Sequence, residues 1–321
     1  MSTIKPIIIN YEASNINSYI IEISYDTIRF YTNHGIMIKN EEVYEIESPY
    51  KYKDLFDEKG LPRISHTQNG DYLYLFHPKY PIKTIYRRDS DWYIENFDIK
   101  AGPWGAVNTS SVRLLYNVEE DMTTQITSAG ADGWANEGMV GKYIRLTLEN
   151  TAIQGWTSNK SYNNGEYVFS DGKYYKTESG GTSGSIKPVH TYGARSDGGV
   201  NWVYKHSGYG IALITRYISD STVEATFIGE FPEELDTEST QYWELSVFGG
   251  DCVYPTSGVF HLGRLAIIAD TNNIPTVYLS CSDDYNNFAD KTYGDVLDTN
   301  AITIPLYSNE YATSSFLVSS S

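Results

Sequence analysis

ISHTQNGDYLYLFHPKYPIKTIYRRDSDW, residues 64 to 92, is the stretch whose period decides the fold. In GDYLYLFHP, Leu73 and Leu75 fall opposite Tyr72, Tyr74 and Phe76, the period of two that belongs to a strand. Pro78 and Pro81 bracket Tyr80 and cannot donate to a sheet ladder, so HPKYP reads as a rigid strand exit that sets the direction of the neighbouring strand. Upstream, TIRFY repeats the alternation, with Ile28 and Phe30 on one face and Arg29 and Tyr31 on the other. Downstream, KYIRLTLEN, YGIALITRYI, STVEATFIGEF, GRLAIIA, TVYLSCS and AITIPLY are short, β-branched or aromatic, and bounded by turn formers. Helix is expected only as short turns, near Tyr52 to Phe56, Gln241 to Val247 and Asp283 to Asp290. The fold class is therefore mainly β: several sandwich-like or barrel-like units, a small aromatic-rich β module and few short helices.

Size and composition narrow the function classes. A chain of 321 residues with 40% hydrophobic content can bury a sizeable core and suggests about two domains. Its longest apolar runs, such as Ile7 to Ile9 and Leu265 to Ile268, fall far short of a membrane span, and MSTIKPIIINYE predicts neither a signal peptide nor an anchor. Synthesis in a host cytoplasm is expected. Two cysteines, Cys252 and Cys281, exclude a disulfide framework and are expected to be reduced and buried. A net charge of −17 argues against a sequence-independent nucleic-acid binder, which must neutralise phosphates. Tyrosine is the outlier, at 29 residues, and suits strands, interfaces and sugar-facing platforms alike.

Composition shifts divide the chain. Residues 1–105 form an N-terminal β unit ending at AGPWG; residues 106–150 and 208–248 form a second; 249–321 form a C-terminal β segment. Between the halves of the second unit, residues 151–207 are dense in Gly, Ser, Tyr and Trp, and read as an inserted module. Its aromatic set, Trp156, Tyr162, Tyr174, Tyr175 and Trp202, has two readings. It makes a stacking platform for sugar rings, or the core of a module too small to build one from aliphatics, and the second is preferred. His190, Asp197 and Gly198 in PVHTYGARSDGG look like turn formers tying the module to its host.

Catalytic patterns are missing. There is no HExxH, GxSxG, GxxxxGK or GxGxxG. His66, His77 and His261 have no nucleophile nearby in the sequence and read as hydrogen-bonded structural residues. The carboxylate pairs Glu119 with Asp121, Glu233 with Glu234 and Asp283 with Asp284 read as solvated faces of an acidic chain. RRDSDW lacks the rest of a calcium loop. No enzyme, metal site or cofactor is expected.

The segments FYTNHGIMI, VYEIESPYKYKDLF and ISHTQNGDYLYLFHPKYPIKTIYRRDSDWYIENFDIKAGPWG, in that order, resemble the tail nozzle, or tubular protein B-like, family of short-tailed bacteriophages. YWELSVFGGDCVYPTSGVFHLGRLAIIADTNNIPTVYLSCSDDYNNFAD is similar to a later segment of that family, so the resemblance runs from Tyr19 to Ile304. It implies a structural virion protein of the tail: a subunit of a closed ring, a hexamer by resemblance to the family, that meets a portal or adaptor ring and transiently touches exiting DNA. It also implies a propeller-like continuation, of which 249–321 would be the start, and the family's greater length suggests one half of a split nozzle. Arg264 in GRLAII would pair with a carboxylate, one of the DDYNNF turn being suited. The inserted module is similar to small aromatic modules of phage tail proteins and to chitin-type carbohydrate-binding modules. This keeps a second function open, a tail adhesin or receptor-binding protein that recognises bacterial surface glycans.

Overall fold

The computed structural model describes residues 5–13, 18–118, 123–130, 133–149, 153–229, 231–232, 238–251, 254–271, 274–290 and 297–307. The fold is mainly β, with a single one-turn α-helix, Tyr52–Leu55, and a 3-10 turn, Glu137–Met139, among those residues. The chain forms two compact units. The described residues of Met1–Ile99, Val253–Asn286 and Ile302–Ser321 belong to the first, and those of Lys100–Cys252 and Asn287–Ala301 to the second. The segment 249–321 is thus divided between them.

The first unit holds three larger antiparallel sheets and the two-stranded pair Ile38–Lys39 with Glu42–Val43. The N-terminal sheet runs Ile7–Glu12, Ser18–Ile23, Thr27–Thr32, Gly35–Ile36, with Glu45–Glu47 also on Thr27–Thr32. The middle sheet is the meander Ser65–Asn69, Tyr72–His77, Tyr80–Arg88, Asp91–Asn96, and the third is Ser257–His261, Arg264–Thr271, Ile274–Leu279, Ile302–Pro305. Alternation sends Ile7, Ile9, Ile21, Ile23, Ile28 and Phe30 of the first sheet onto Leu73, Leu75, Ile85 and Trp92 of the second. Trp92 stacks on Phe30, centroids 4.4 Å apart, with Tyr11 and Tyr19 edge-on.

Tyr72–His77 departs from the one-sided alternation its sequence suggests. Tyr74 and Phe76, on the face opposite Leu73 and Leu75, are buried as well. The covering comes from the third sheet: Phe260 packs edge-on to Tyr74 at 4.9 Å, and Ser65 Oγ donates to the Thr256 carbonyl at 2.7 Å. Residue 258 has to be glycine, because a Cβ there would lie 2.4 Å from the Phe76 ring.

The HPKYP exit works as the prolines require. Pro78 and Lys79 form the turn between His77 and Tyr80, and the register shifts between Tyr80 and Lys83, placing Pro81 in an irregularity that needs no ladder donor. Below it lies a polar knot. Asp54, 3% exposed, accepts from Lys79 Nζ and the Tyr80 hydroxyl, each at 2.9 Å. His77 Nδ1 accepts from the Lys79 amide at 3.0 Å, which leaves Nε2–H to donate to the Asp54 carbonyl at 2.7 Å. Burial pushes the imidazole pKa down to about 4, so it is neutral at pH 7. Burial raises the Asp54 pKa, but the hydrogen bonds from Lys79 and Tyr80 outweigh it and hold the carboxyl below its ordinary value.

The second unit is built on a six-stranded antiparallel sheet, ordered Leu114–Val118, Thr123–Ser128, Thr222–Ile228, Tyr209–Ser219, Tyr143–Thr147, Trp243–Leu245. Ile126, Ile144, Leu146, Ala212, Ile214, Val223 and Ala225 form its core beneath Trp134, whose Nε1 donates to the Ser221 carbonyl. Gln241 to Val247, expected as a helical turn, holds a strand. Glu244 lies opposite Arg145 in the ladder and accepts from its Nε at 2.6 Å, an ion pair that only the strand geometry makes. Asp283 to Asp290 is likewise not helical. Asp283 has φ +58° and the Asn287 side chain accepts from the Ala289 amide, both incompatible with a helix interior. Tyr52 to Phe56 does contain the expected turn, Tyr52–Leu55.

Thr147 and Tyr209 are direct partners in this ladder, and the Leu148 amide donates to the Gly208 carbonyl at 2.8 Å. Everything from 149 to 207 therefore occupies the place of a hairpin loop. It holds its own sheet, Tyr167–Ser170, Lys173–Thr177, Val200–His206, Ala194–Asp197, and the pair Ser161–Tyr162 with Gly181–Thr182.

Replacing residues 149–207 by a two-residue Asn-Gly turn should leave the rest of the chain cooperatively folded, because the exchanged segment closes at adjacent backbone positions. Melting curves and far-ultraviolet dichroism check this; an unfolded remainder would contradict it. Between pH 7 and pH 4 the unfolded imidazole at His77 binds more protons than the folded one. The stability this residue contributes is complete above about 6.5 and declines as pH falls toward 4, by on the order of 3 kcal/mol. His77→Asn, which cannot titrate, should flatten that part of the pH dependence in denaturant titrations.

Candidate functional site

The inserted module carries the candidate site, and its residues follow from strand parity. Tyr175 and Trp202, both 0% exposed, and Tyr162, 4% exposed, point inward with Val168 and Val200. Tyr162 meets Trp202 edge-on at 5.0 Å, and Trp156 is half-buried against the same cluster. Tyr174 is next to Tyr175 in its strand and therefore faces the other way. Its ring stacks on His206 at 4.7 Å and meets Phe169 edge-on. The five aromatics proposed as a sugar platform are thus not one surface. Tyr162, Tyr175 and Trp202 have no ring face open to solvent, because a module this small fills its interior with its largest side chains.

PVHTYGARSDGG ties parts of the module to one another. The Tyr175 hydroxyl donates to the His190 carbonyl at 2.7 Å, and His190 Nε2 lies 3.1 Å from the Trp202 carbonyl. Burial lowers the His190 pKa. Asp197 Oδ1 accepts from the Ile186 amide at 3.1 Å. Gly198, at φ +63°, sits so close to the opposing backbone that a Cβ would be 2.6 Å from the Gly184 nitrogen.

These contacts frame a groove of about 300 Å³, lined among others by Ile186, Pro188, Val189, Arg195, Asp197 and Trp202. Ile186 and Val189 are exposed at 74% and 50%, whereas Asp197 and Trp202 are buried. Asp197 Oδ2 and Trp202 Nε1 are buried and lack a hydrogen-bond partner. Sequence reasoning read Asp197 as a turn former and passed over Ile186 and Val189. Two aliphatics inside a Gly, Ser and Pro-rich loop were the available signal.

Other candidates resolve locally. His66 and His77 belong to the middle sheet, both with pKa lowered by burial. Arg264 donates from Nη1 to the Ser280 carbonyl at 2.5 Å. Cys281 is buried; Cys252 and the pairs at 119/121 and 233/234 lie outside the described residues. Among the described residues no three His, Cys, Asp or Glu side chains gather as a metal site needs, and no helix is long and apolar enough to cross a membrane. No family model matches this chain, and no curated protein matched it either.

Proposed function

We propose that this chain is a structural subunit of the tail nozzle of a short-tailed bacteriophage, contributing to a ring through which DNA leaves the virion, without catalytic chemistry of its own. The observation that carries the proposal is where the resembling segments lie relative to one another. Tyr74 of the DYLYL segment packs on Phe260 of VYPTSGVFHLGRL, and Phe260 packs on Tyr285 of DDYNNF, each at 4.9 Å. The Tyr254 amide donates to the Pro78 carbonyl of HPKYP at 3.0 Å. In the second unit, the Phe288 amide donates to Ala101, and Val247 to Pro103, so the GP turn is held between the NF and WELSVF segments. Segments far apart in sequence that resemble one family in order also meet in space, as a shared scaffold requires.

Their chemistry suits a scaffold. His77, Asp54, Lys79 and Tyr80 direct their polar atoms to one another. The basic stretch Lys79 to Arg88 is largely the strand Tyr80–Arg88; Lys79 is paired with Asp54, and Arg87 and Arg88 are exposed at its end. The ring partners, the portal or adaptor neighbour, transient contact with DNA and a virion location all belong to this proposal.

Six copies would bring about 100 net negative charges together, so ring formation should rise with ionic strength as repulsion is screened. Mass photometry across a salt series tests that, and particle structure determination tests the role. The expected result is a closed ring with an acidic lumen, over which phosphates slip. A basic lumen, or a peripheral chain in trimeric fibres, would overturn the proposal and favour the adhesin.

A further inference from the structure

We infer that Asn69 is a site of spontaneous deamidation, an ageing site in the hairpin that joins Ser65–Asn69 to Tyr72–His77, and that the fold holds the other Asn-Gly pair, at Asn164, inert. The inference stands on these two turns and is independent of the ring proposal.

The reaction needs an asparagine carboxamide and the backbone nitrogen of the next residue, and glycine there leaves the approach uncrowded because it has no Cβ. The glycine nitrogen, once deprotonated, attacks the asparagine Cγ. The N–Cγ bond closes a five-membered succinimide, the Cγ–Nδ2 bond breaks and ammonia leaves with the proton. Water then opens the ring at either carbonyl, giving aspartate or isoaspartate. The sequence holds two such dipeptides, Asn69-Gly70 and Asn164-Gly165.

Exposure alone would choose the second, since Asn164 is exposed and Asn69 only half-exposed. Hydrogen bonding reverses the choice. The Gly165 amide, the nucleophile there, donates to the Thr177 carbonyl at 3.0 Å, and the Glu166 amide closes the turn onto the Asn163 carbonyl at 3.3 Å. That nitrogen can neither lose its proton nor swing toward Cγ without giving up its acceptor. Gly70, at φ +56°, is exposed and leads the two-residue turn between the ladder partners Asn69 and Tyr72, a position whose amide lies outside the ladder. Among the described residues neither the Gly70 amide nor the Asn69 carboxamide has a hydrogen-bond partner. Swinging the 69–70 peptide into line costs the last ladder pair at a hairpin end, the kind of local opening that comes cheaply.

The position gives the modification a consequence. Gln68 accepts from the Glu12 amide at 3.1 Å and donates to the Glu12 carbonyl at 2.7 Å, while the Tyr11 hydroxyl donates to the Asp71 carbonyl at 2.9 Å. These bonds fasten the hairpin tip to the strand Ile7–Glu12 from either side of residue 69. Isoaspartate carries the chain through its side-chain carbon and inserts one more backbone atom between the two fastenings, so both cannot keep their register.

The test incubates the full chain, folded and in urea, at mildly alkaline pH, and follows the amide-to-acid mass gain in the tryptic peptides 64–79 and 161–173. In urea both peptides should convert at comparable rates. In the folded chain, peptide 64–79 is expected to convert at least about fivefold faster than 161–173, the factor that one net hydrogen bond is worth. Asn69→Gln, whose cyclisation needs a six-membered ring, should abolish the gain in 64–79, and the Tm of the aged wild-type chain should fall while that of the aged variant holds. A folded chain in which 64–79 gains no acid, or gains it no faster than 161–173, overturns the inference. A Tm that falls equally in wild type and variant overturns the loosening of the tip.

Discussion

A strand whose two faces are both apolar has to be covered twice, and Tyr72–His77 sets that requirement for the first unit. Leu73 and Leu75 are buried on one side, Tyr74 and Phe76 on the other. Each buried side chain of this size contributes about 1.5–3 kcal/mol relative to exposure, so neither face can be left to water in a domain of ordinary stability. The N-terminal sheet covers one side. The other is covered by residues that follow some 190 positions later, as the 191-residue separation of the Ser65 to Thr256 hydrogen bond records. The chain must therefore run on through residues 100–252 before the first unit can close. Gly258 is the steric condition of that closure, since it lets backbone lie against the Phe76 ring.

Burying polar atoms next to such a core requires that they satisfy one another. Around Asp54 the requirement is met by Lys79, Tyr80 and His77, all from the turn that reverses the middle sheet, so the knot locks the turn's direction to the helix Tyr52–Leu55. In the second unit Arg145 and Glu244 do the same across a strand pair, with the guanidinium also lying over the Trp104 ring at 4.8 Å. A lone Asp54 or Glu244 at such low exposure would be strongly destabilising, which is why each polar group comes with its partner.

Much of the architecture was legible in period alone. Ile28 and Phe30 are buried, and Arg29 and Tyr31 lie on the wetter face, as alternation in TIRFY demands. What sequence could not supply was long-range. Whether Tyr74 and Phe76 face water depends on a sheet far along the chain, and whether Gln241 to Val247 is helix or strand depends on Arg145 standing opposite Glu244. The candidate site suffered from parity. Tyr174 and Tyr175 are indistinguishable as residues and opposite in the fold, a distinction that exists only once the register with Tyr204 and His206 is fixed. Asp197 was noticed for its turn chemistry, while the burial of its side chain among Gly184 and the Ile186 amide is announced by no local pattern.

The register pair Thr147 and Tyr209 has an evolutionary reach beyond this molecule. The two strands return to adjacent positions, about 5 Å apart as in any antiparallel pair, so the span that the host sheet must close does not depend on the size of what it carries. A lineage can exchange the domain mounted there by recombination in one step while the scaffold keeps its sequence. The inserted module and the scaffold can then diverge at separate rates within one polypeptide.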